Sequence, residues 1–332
     1  MQPSTREPAP RNAAMRDVVG NAPAFVQQLA KLTSIAACHA GVLILGETGT
    51  GKEVFARAVH YRSPRAGKPM VAVNCGAIPS ELVESELFGH VRGAYTTAHA
   101  SREGLVREAE GGTLFLDDVD CLPPAAQVKL LRFVQEREYR AVGASTVRHA
   151  DVRIVAACNR DLAQLAAHGD FRSDLYYRLD VLTLHLPPLR DRREDIVPLA
   201  EHFLRHFAQE LERPPCELAP SAVDKLMLHA WPGNIRELRH VIERAILMAP
   251  TTRLEAADVE IAGAPTRPAA ATFQEMKARM IDDFERSYIE SLLCRTGGNI
   301  THAAQAAGKN RRAFFELIRK HSIAPQRFRT PA

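Results

Sequence analysis

Residues 42–59 read Val42-Leu43-Ile44-Leu45-Gly46-Glu47-Thr48-Gly49-Thr50-Gly51-Lys52-Glu53-Val54-Phe55-Ala56-Arg57-Ala58-Val59. An apolar run, a Gly-rich loop and a segment of helical pattern follow one another, the context a phosphate-binding loop requires. Glycines let successive backbone N–H groups turn toward one point, where a helix N-terminus adds partial positive charge. Lys52 supplies a full charge for the outer phosphates of a nucleotide, so Gly46 to Glu53 form the nucleotide-binding candidate. Glu53 stands where Ser or Thr is usual, and the magnesium-ligating hydroxyl is missing from its expected place. The bland alternative, a Gly-rich turn with a surface lysine, does not explain the strand and helix on either side.

Outward from this stretch, short β-branched runs alternate with helical patterns. Strands are expected at Met70–Asn74, Thr113–Asp118, Val152–Ala157 and Val181–Leu186, and helices at Ala22–Ala37, Glu81–Phe88 and Gln127–Glu136. Such alternation predicts an α/β fold, a parallel sheet with helices on both faces. Ligands then belong at the carboxyl ends of the strands. Asp117 and Asp118 close an apolar strand there: the first acid can hold Mg²⁺ and the second can polarise water for attack on a phosphate. Two turn acids are the competing reading. Asn74 and Asn159 also stand at strand ends, where an amide can orient water.

From Arg192 the strands are expected to stop. Glu194–Leu211, Ser221–His229 and Asn234–Met248 have helical patterns, which predicts a helical subdomain over 191–260 after an α/β subdomain over 18–190. Residues 1–17 form a lead-in, and the Pro- and Ala-rich stretch 261–272 a linker. In 273–332, Phe273, Met276, Met280, Phe284 and Tyr288 recur at spacings of three and four, a core or dimer seam.

Composition sets limits. The chain has 332 residues, 46% hydrophobic and 25% charged. No apolar run approaches the roughly 18–20 residues of a membrane helix. Met1–Asn12 lacks the apolar centre of a signal peptide. Cysteines 38, 75, 121, 158, 216 and 294 are too far apart for CxxC chemistry, so a reduced cytoplasmic protein is expected. Net charge is +4, yet 297–329 holds seven Lys/Arg against the single acid Glu316, which leaves the remainder slightly acidic.

A basic tail suggests a polyanion partner. Within it, Asn299–Ala307 has the pattern of a small-residue helix, Gly308 allows a sharp turn, and Asn310 can cap a second helix over Arg311–His321. This is the helix-turn-helix arrangement, whose second helix enters the major groove. Arg311 and Arg312 open that helix where base edges are met, and Arg319 and Lys320 are placed for phosphates. Phe314, Phe315, Leu317 and Ile318 divide between core and seam, with Phe315 counted in the DNA-facing set.

Several stretches together carry a resemblance: GETGTGKE at 46–53, NCGAIP at 74–79, ESELFGH at 84–90, GGTLFLDD at 111–118, FRSDLYYRLDV at 171–181, LPPLRDRREDI at 186–196 and WPGNIREL at 231–238. From about Val18 to its end, the chain resembles bacterial enhancer-binding activators of sigma-54 RNA polymerase, in the AAA+ ATPase superfamily. The resemblance implies an AAA+ sheet, a helical lid and a Fis-type helix-turn-helix domain. It implies ATP and Mg²⁺ as cofactors, and upstream DNA and the sigma-54 holoenzyme as partners. Lys52 would bind phosphate, Asp117 handle Mg²⁺ and Asp118 serve as catalytic base, held in check by Asn74. Asn159 matches the first sensor and Arg236 the second; Arg172 and Arg178 match arginines that reach a neighbouring subunit's site in a ring. Glu53 after the lysine is usual in this family.

Two departures stand out. The second acid is usually Glu, and Asp118 is shorter by one methylene; a displacement near 1 Å can cost about 10²-fold in rate. The sigma-contacting loop, usually Gly-Ala-Phe-Thr-Gly-Ala, is Gly93-Ala94-Tyr95-Thr96-Thr97-Ala98, with a β-branched residue in place of glycine. These features keep open an alternative: a nucleotide-binding DNA regulator with little turnover, acting on another holoenzyme or in a mixed ring. Only about 17 residues precede the ATPase segment, too few for a receiver domain, so control by a protein partner in trans is expected.

Overall fold

The structure, a computed structural model, describes residues 18–95, 98–249, 251–261, 273–321, 323–324 and 328. The lead-in, Thr96, Thr97 and nearly all of the linker lie outside the described residues. The chain divides into two compact units, 1–262 and 263–332.

The first unit is built on five parallel strands: β1 (Val42–Leu45), β2 (Met70–Asn74), β3 (Thr113–Asp117), β6 (Arg153–Cys158) and β7 (Thr183–His185), ordered β2-β3-β6-β1-β7. A small antiparallel pair, β4 (Glu138–Tyr139) and β5 (Arg148–His149), lies between β3 and β6 in sequence. Every residue of β6 is buried, as expected for a strand covered on both faces. Its residues alternate between two cores. Ile154, Ala156 and Cys158 face the first, with Leu87 and Phe88 of α3 (Val83–Phe88), Phe133 of α5 (Pro124–Glu136) and Leu175 of α7 (Ser173–Leu179). Val155 and Ala157 face the second, with Phe25 and Leu32 of α1 (Pro23–Ala37) and Phe55 and Val59 of α2 (Lys52–Tyr61).

Buried Arg153 sets the height of α1 against the sheet. Its guanidinium donates to the carbonyls of Ile35 and Ala36 at the end of α1 and of Ala40 beyond it, at 2.7, 3.1 and 3.1 Å. Short helices α4 (Leu105–Glu108) and α6 (Leu162–His168) complete the layers.

Helices α8 (Ile196–Glu210), α9 (Pro220–Leu228) and α10 (Asn234–Met248) form the lid. The expectation that strands stop at Arg192 needs correction. Glu217–Leu218 (β8) and Arg253–Leu254 (β9) pair in parallel and tie the start of α9 to the end of the lid. Two residues are too few for any period to show. Other boundaries shift by one to three residues: the helix expected from Glu81 begins at Val83, that from Gln127 at Pro124, and the fifth strand spans Thr183–His185.

The second unit holds α11 (Phe273–Arg295), α12 (Ile300–Ala306) and α13 (Arg311–Lys320). Ile289, Leu292, Leu293, Ala303, Ala304, Phe314 and Ile318 form its core.

Candidate active site

The carboxyl ends of the strands converge where the loop 46–51 leads into α2. Asn74 and Asp117 are register partners on β2 and β3, so their side chains start from adjacent positions at one edge of the sheet. Leu45 pairs with Cys158, which brings Gly46 and Asn159 out at the same level. A cavity of about 530 Å³ opens here, lined by Thr48 to Phe55, Asn74, Asp117 and Asp118 from the sheet side and by Ile235, Arg236, Arg239 and His240 from α10.

Lys52 is buried at the cavity floor, and its ammonium donates to the carbonyls of Gly46 at 2.8 Å and Glu47 at 3.3 Å. Burial pulls its pKa down, while the charges of Asp117 and Asp118 act against the shift. Asp117 is displaced upward, chiefly by burial and then by the Asp118 charge, with Lys52 opposing. A half-buried carboxylate under that pressure favours a nearby cation. The donor set suits Mg²⁺, which takes one or two carboxylates plus phosphate and water oxygens. Glu53, on the first turn of α2, is paired with Arg57 at 2.7 Å.

Asp118 adopts left-handed backbone, φ 51° and ψ 50°, a region that Asp tolerates better than most residues. Both of its oxygens are engaged. Asn74 Nδ2 donates to Oδ2 at 3.1 Å and Asn159 Nδ2 to Oδ1 at 3.3 Å. Asn159 also reaches Thr48 Oγ1 at 3.3 Å, which links the strand-end amides to the phosphate-binding loop. Short as it is, the Asp118 side chain meets both amides.

The lid grips this loop through residues that pattern reading passed over. Asn234 is fully buried at φ 52°; its amide donates to Thr48 O at 3.0 Å and Glu47 Oε2 at 3.2 Å, and its oxygen accepts from Leu189 N at 2.7 Å. Gly49 accepts from Ile235 N at 3.0 Å, and a side chain there would meet Gly233 O at 2.3 Å, so only glycine fits. The Glu47 side chain is not among the cavity's lining residues; its carboxylate pairs with Arg190 at 2.6 Å. The Arg190 hydrogen bond holds its pKa low. These partners sat inside the quoted motifs at 186–196 and 231–238, but nothing local marked them as mutual.

Two further groups stand apart from the cavity lining. Arg172 and Arg178 lie exposed at the start and near the end of α7, Arg172 paired with Asp174 at 2.7 Å. In the loop 93–98, Gly93 N donates to Ala98 O and Ala98 N to Tyr95 O, both at 2.9 Å. The Tyr95 hydroxyl is 3.5 Å from Ser85 Oγ and from His90 Nδ1, contacts a phenylalanine could not make. Thr96 and Thr97 are outside the described residues.

The family model described as Sigma-54 interaction domain matches residues 18–185, and that described as AAA+ ATPase lid domain matches 190–275. The chain belongs to the family of sigma-54-dependent AAA+ regulators. It is 44% identical over 312 residues to the transcriptional regulatory protein GlrR of Escherichia coli K12, covering 94% of this chain and 69% of that relative. Identity to the regulatory protein AtoC of the same strain is 43% over 314 residues, 93% of this chain and 68% of AtoC. Among solved structures it resembles NtrX from Brucella abortus in complex with ATP, with 32% identity and a TM-score of 0.71 over 94% of this chain and 72% of NtrX. The ADP complex of NtrX gives a TM-score of 0.70. Among the described residues of this sigma-54 regulator, no helix is long and apolar enough to cross a membrane.

The second unit of this sigma-54 regulator places two short helices around a tight turn. Asn299 caps α12 by accepting from Thr301 N and His302 N at 3.0 and 3.2 Å, and Asn310 caps α13 by accepting from Ala313 N at 2.8 Å. Gly308, between them, has φ +64°. Phe314 and Ile318 are buried, while Arg311, Arg312, Phe315 and Arg319 are exposed. Lys320, expected to meet phosphates, is instead 2.7 Å from Asp282 and 2.8 Å from Glu285 on α11. Of the expected seam on α11, Tyr288 is exposed and the side chains of Phe273, Met276, Met280 and Phe284 are outside the described set.

Proposed function

We propose that the chain is an ATP-driven activator that binds upstream DNA, assembles into a ring and remodels the sigma-54 RNA polymerase closed complex. The observation that carries this is the convergence of Lys52, Asp117, Asp118, Asn74 and Arg236 on one cavity between sheet and lid. In this reading the N–H groups of 46–52 and the Lys52 ammonium bind phosphate, and Asp117 would hold Mg²⁺, which would supply positive charge against the phosphates. Asp118 takes the proton from the attacking water, and Asn74 and Asn159 hold its carboxylate until that water is in place. Arg236 closes the lid on the nucleotide. Arg172 and Arg178, exposed on α7, act on the site of the next subunit, so turnover requires a ring.

The loop 93–98 contacts the sigma factor, and Arg311, Arg312, Phe315 and Arg319 face DNA. Lys320 leaves that set because α11 already neutralises it. The reach of Asp118 to both amides supports turnover over the alternative of a nucleotide-binding regulator with little hydrolysis, alone or in a mixed ring.

Open-complex formation by sigma-54 holoenzyme on a promoter bearing this protein's binding site tests the proposal. Opening that requires ATP and disappears in Lys52→Ala is the expected result. If wild type fails but Thr97→Gly succeeds, the fault lies in the loop. Failure of both with DNA binding intact would overturn the remodelling reading in favour of the regulator.

A further inference from the structure

Helix α13 presents Arg312, Phe315, Glu316 and Arg319 to solvent while burying Phe314 and Ile318. Positions 312, 315, 316 and 319 fall on a single helical stripe. Glu316 Oε1 lies 3.8 Å from Arg312 Nε, and the two side chains are 70% and 92% exposed.

Helix stability gains little from this pair. A cation in the first turn opposes the helix macrodipole, and a basic residue N-terminal to its acid is the weaker order at this spacing. Glu316 is also the only acid between 297 and 329. A carboxylate turned toward phosphates would be repelled. Turned toward base edges, it accepts a hydrogen bond from the cytosine N4 amino group. Arg312, one turn earlier on the same stripe, has the fork that pairs with guanine O6 and N7.

We infer that Arg312 and Glu316 read neighbouring base pairs in the major groove, Arg312 a guanine and Glu316 the amino group of a cytosine. The carboxylate thereby sets a cytosine preference at one position of the DNA site. This rests on the DNA-binding role proposed above. Both side chains project into water, so their replacement leaves the core of the unit untouched.

The test is selection of bound duplexes from a random pool by the full chain, comparing wild type, Glu316→Gln and Glu316→Ala. Wild type should enrich cytosine at one position beside a guanine. Glutamine pairs with adenine N6 and N7, so Glu316→Gln should turn that position to adenine. Glu316→Ala should lose discrimination there by about 5- to 150-fold while keeping the guanine. The same base at that position in all three proteins overturns the inference and leaves DNA binding standing. A wild-type chain that retains no duplex overturns the inference together with the DNA-binding role.

Discussion

The amide of Asn74 donates to the carboxylate of Asp118 across 3.1 Å, joining the end of one strand to the residue just past its neighbour. A second amide, from Asn159, holds the other oxygen at 3.3 Å. The acid is positioned from both sides, and its chemistry is open to a direct test.

Replacing Asp118 with Asn keeps the size and the left-handed backbone preference but removes the carboxylate proposed as the base. Steady-state ATP turnover should fall by about 10²- to 10⁴-fold, the usual contribution of a positioned base. Nucleotide affinity, measured by titration, should stay close to wild type. Loss of affinity in parallel with turnover would mean that Asp118 binds nucleotide instead of acting on water.

Asp195 is wholly buried and accepts from Asn21 N at 2.6 Å, Ala22 N at 2.9 Å and Arg192 Nε at 2.8 Å. Arg192 also stacks over the Phe25 ring, 3.7 Å from its centroid. Asp195→Ala strands a buried guanidinium and two backbone donors, which costs about 3–5 kcal/mol. Glu47→Gln, in a pair left open to solvent, should shift the denaturation midpoint far less. Equal shifts in chemical denaturation would refute the contrast.

His60 is buried against Thr113, 2.9 Å from its hydroxyl, and burial pulls its pKa down to about 4 from 6.5. The unfolded chain therefore binds a proton here that the folded chain refuses. Stability is full above pH 6.5 and declines as pH falls toward 4, by on the order of 3 kcal/mol from this residue. His60→Gln should flatten the pH dependence of unfolding in that window by about one proton. An unchanged slope would show that other groups carry the acid sensitivity.

Lys320 and Arg319 are adjacent yet should behave differently on DNA. Both are exposed, but Lys320 is paired with Asp282 and Glu285. Arg319→Ala should lower the slope of log affinity against log salt by about one, the signature of a lost phosphate contact. Lys320→Ala should leave that slope unchanged and reduce thermal stability. A slope change for Lys320→Ala would place that lysine on the backbone after all.

Much of the nucleotide site was legible because its signals are local. Glycines beside a lysine, two acids closing an apolar run and an asparagine before a short helix each state their chemistry within a few residues. The paired lid strands at 217–218 and 253–254 gave no signal, since each is two residues long and their partnership depends on how the lid helices pack.

By itself, then, the sequence determined the alternation of strand and helix, the phosphate-binding loop, the acids at the strand end and the capped helix pair of the C-terminal unit. Periodicity and capping act over a turn or a strand length, so they are written locally. Only the tertiary structure decided which polar group meets which. Asn234 reaches Glu47 across 187 positions, and Ala22 finds Asp195 across 173. Lys320 pairs with acids 35 and 38 residues earlier. Such pairings depend on the closure of the whole fold, because a side chain's partner is set by where the core holds its helix, not by the residues beside it.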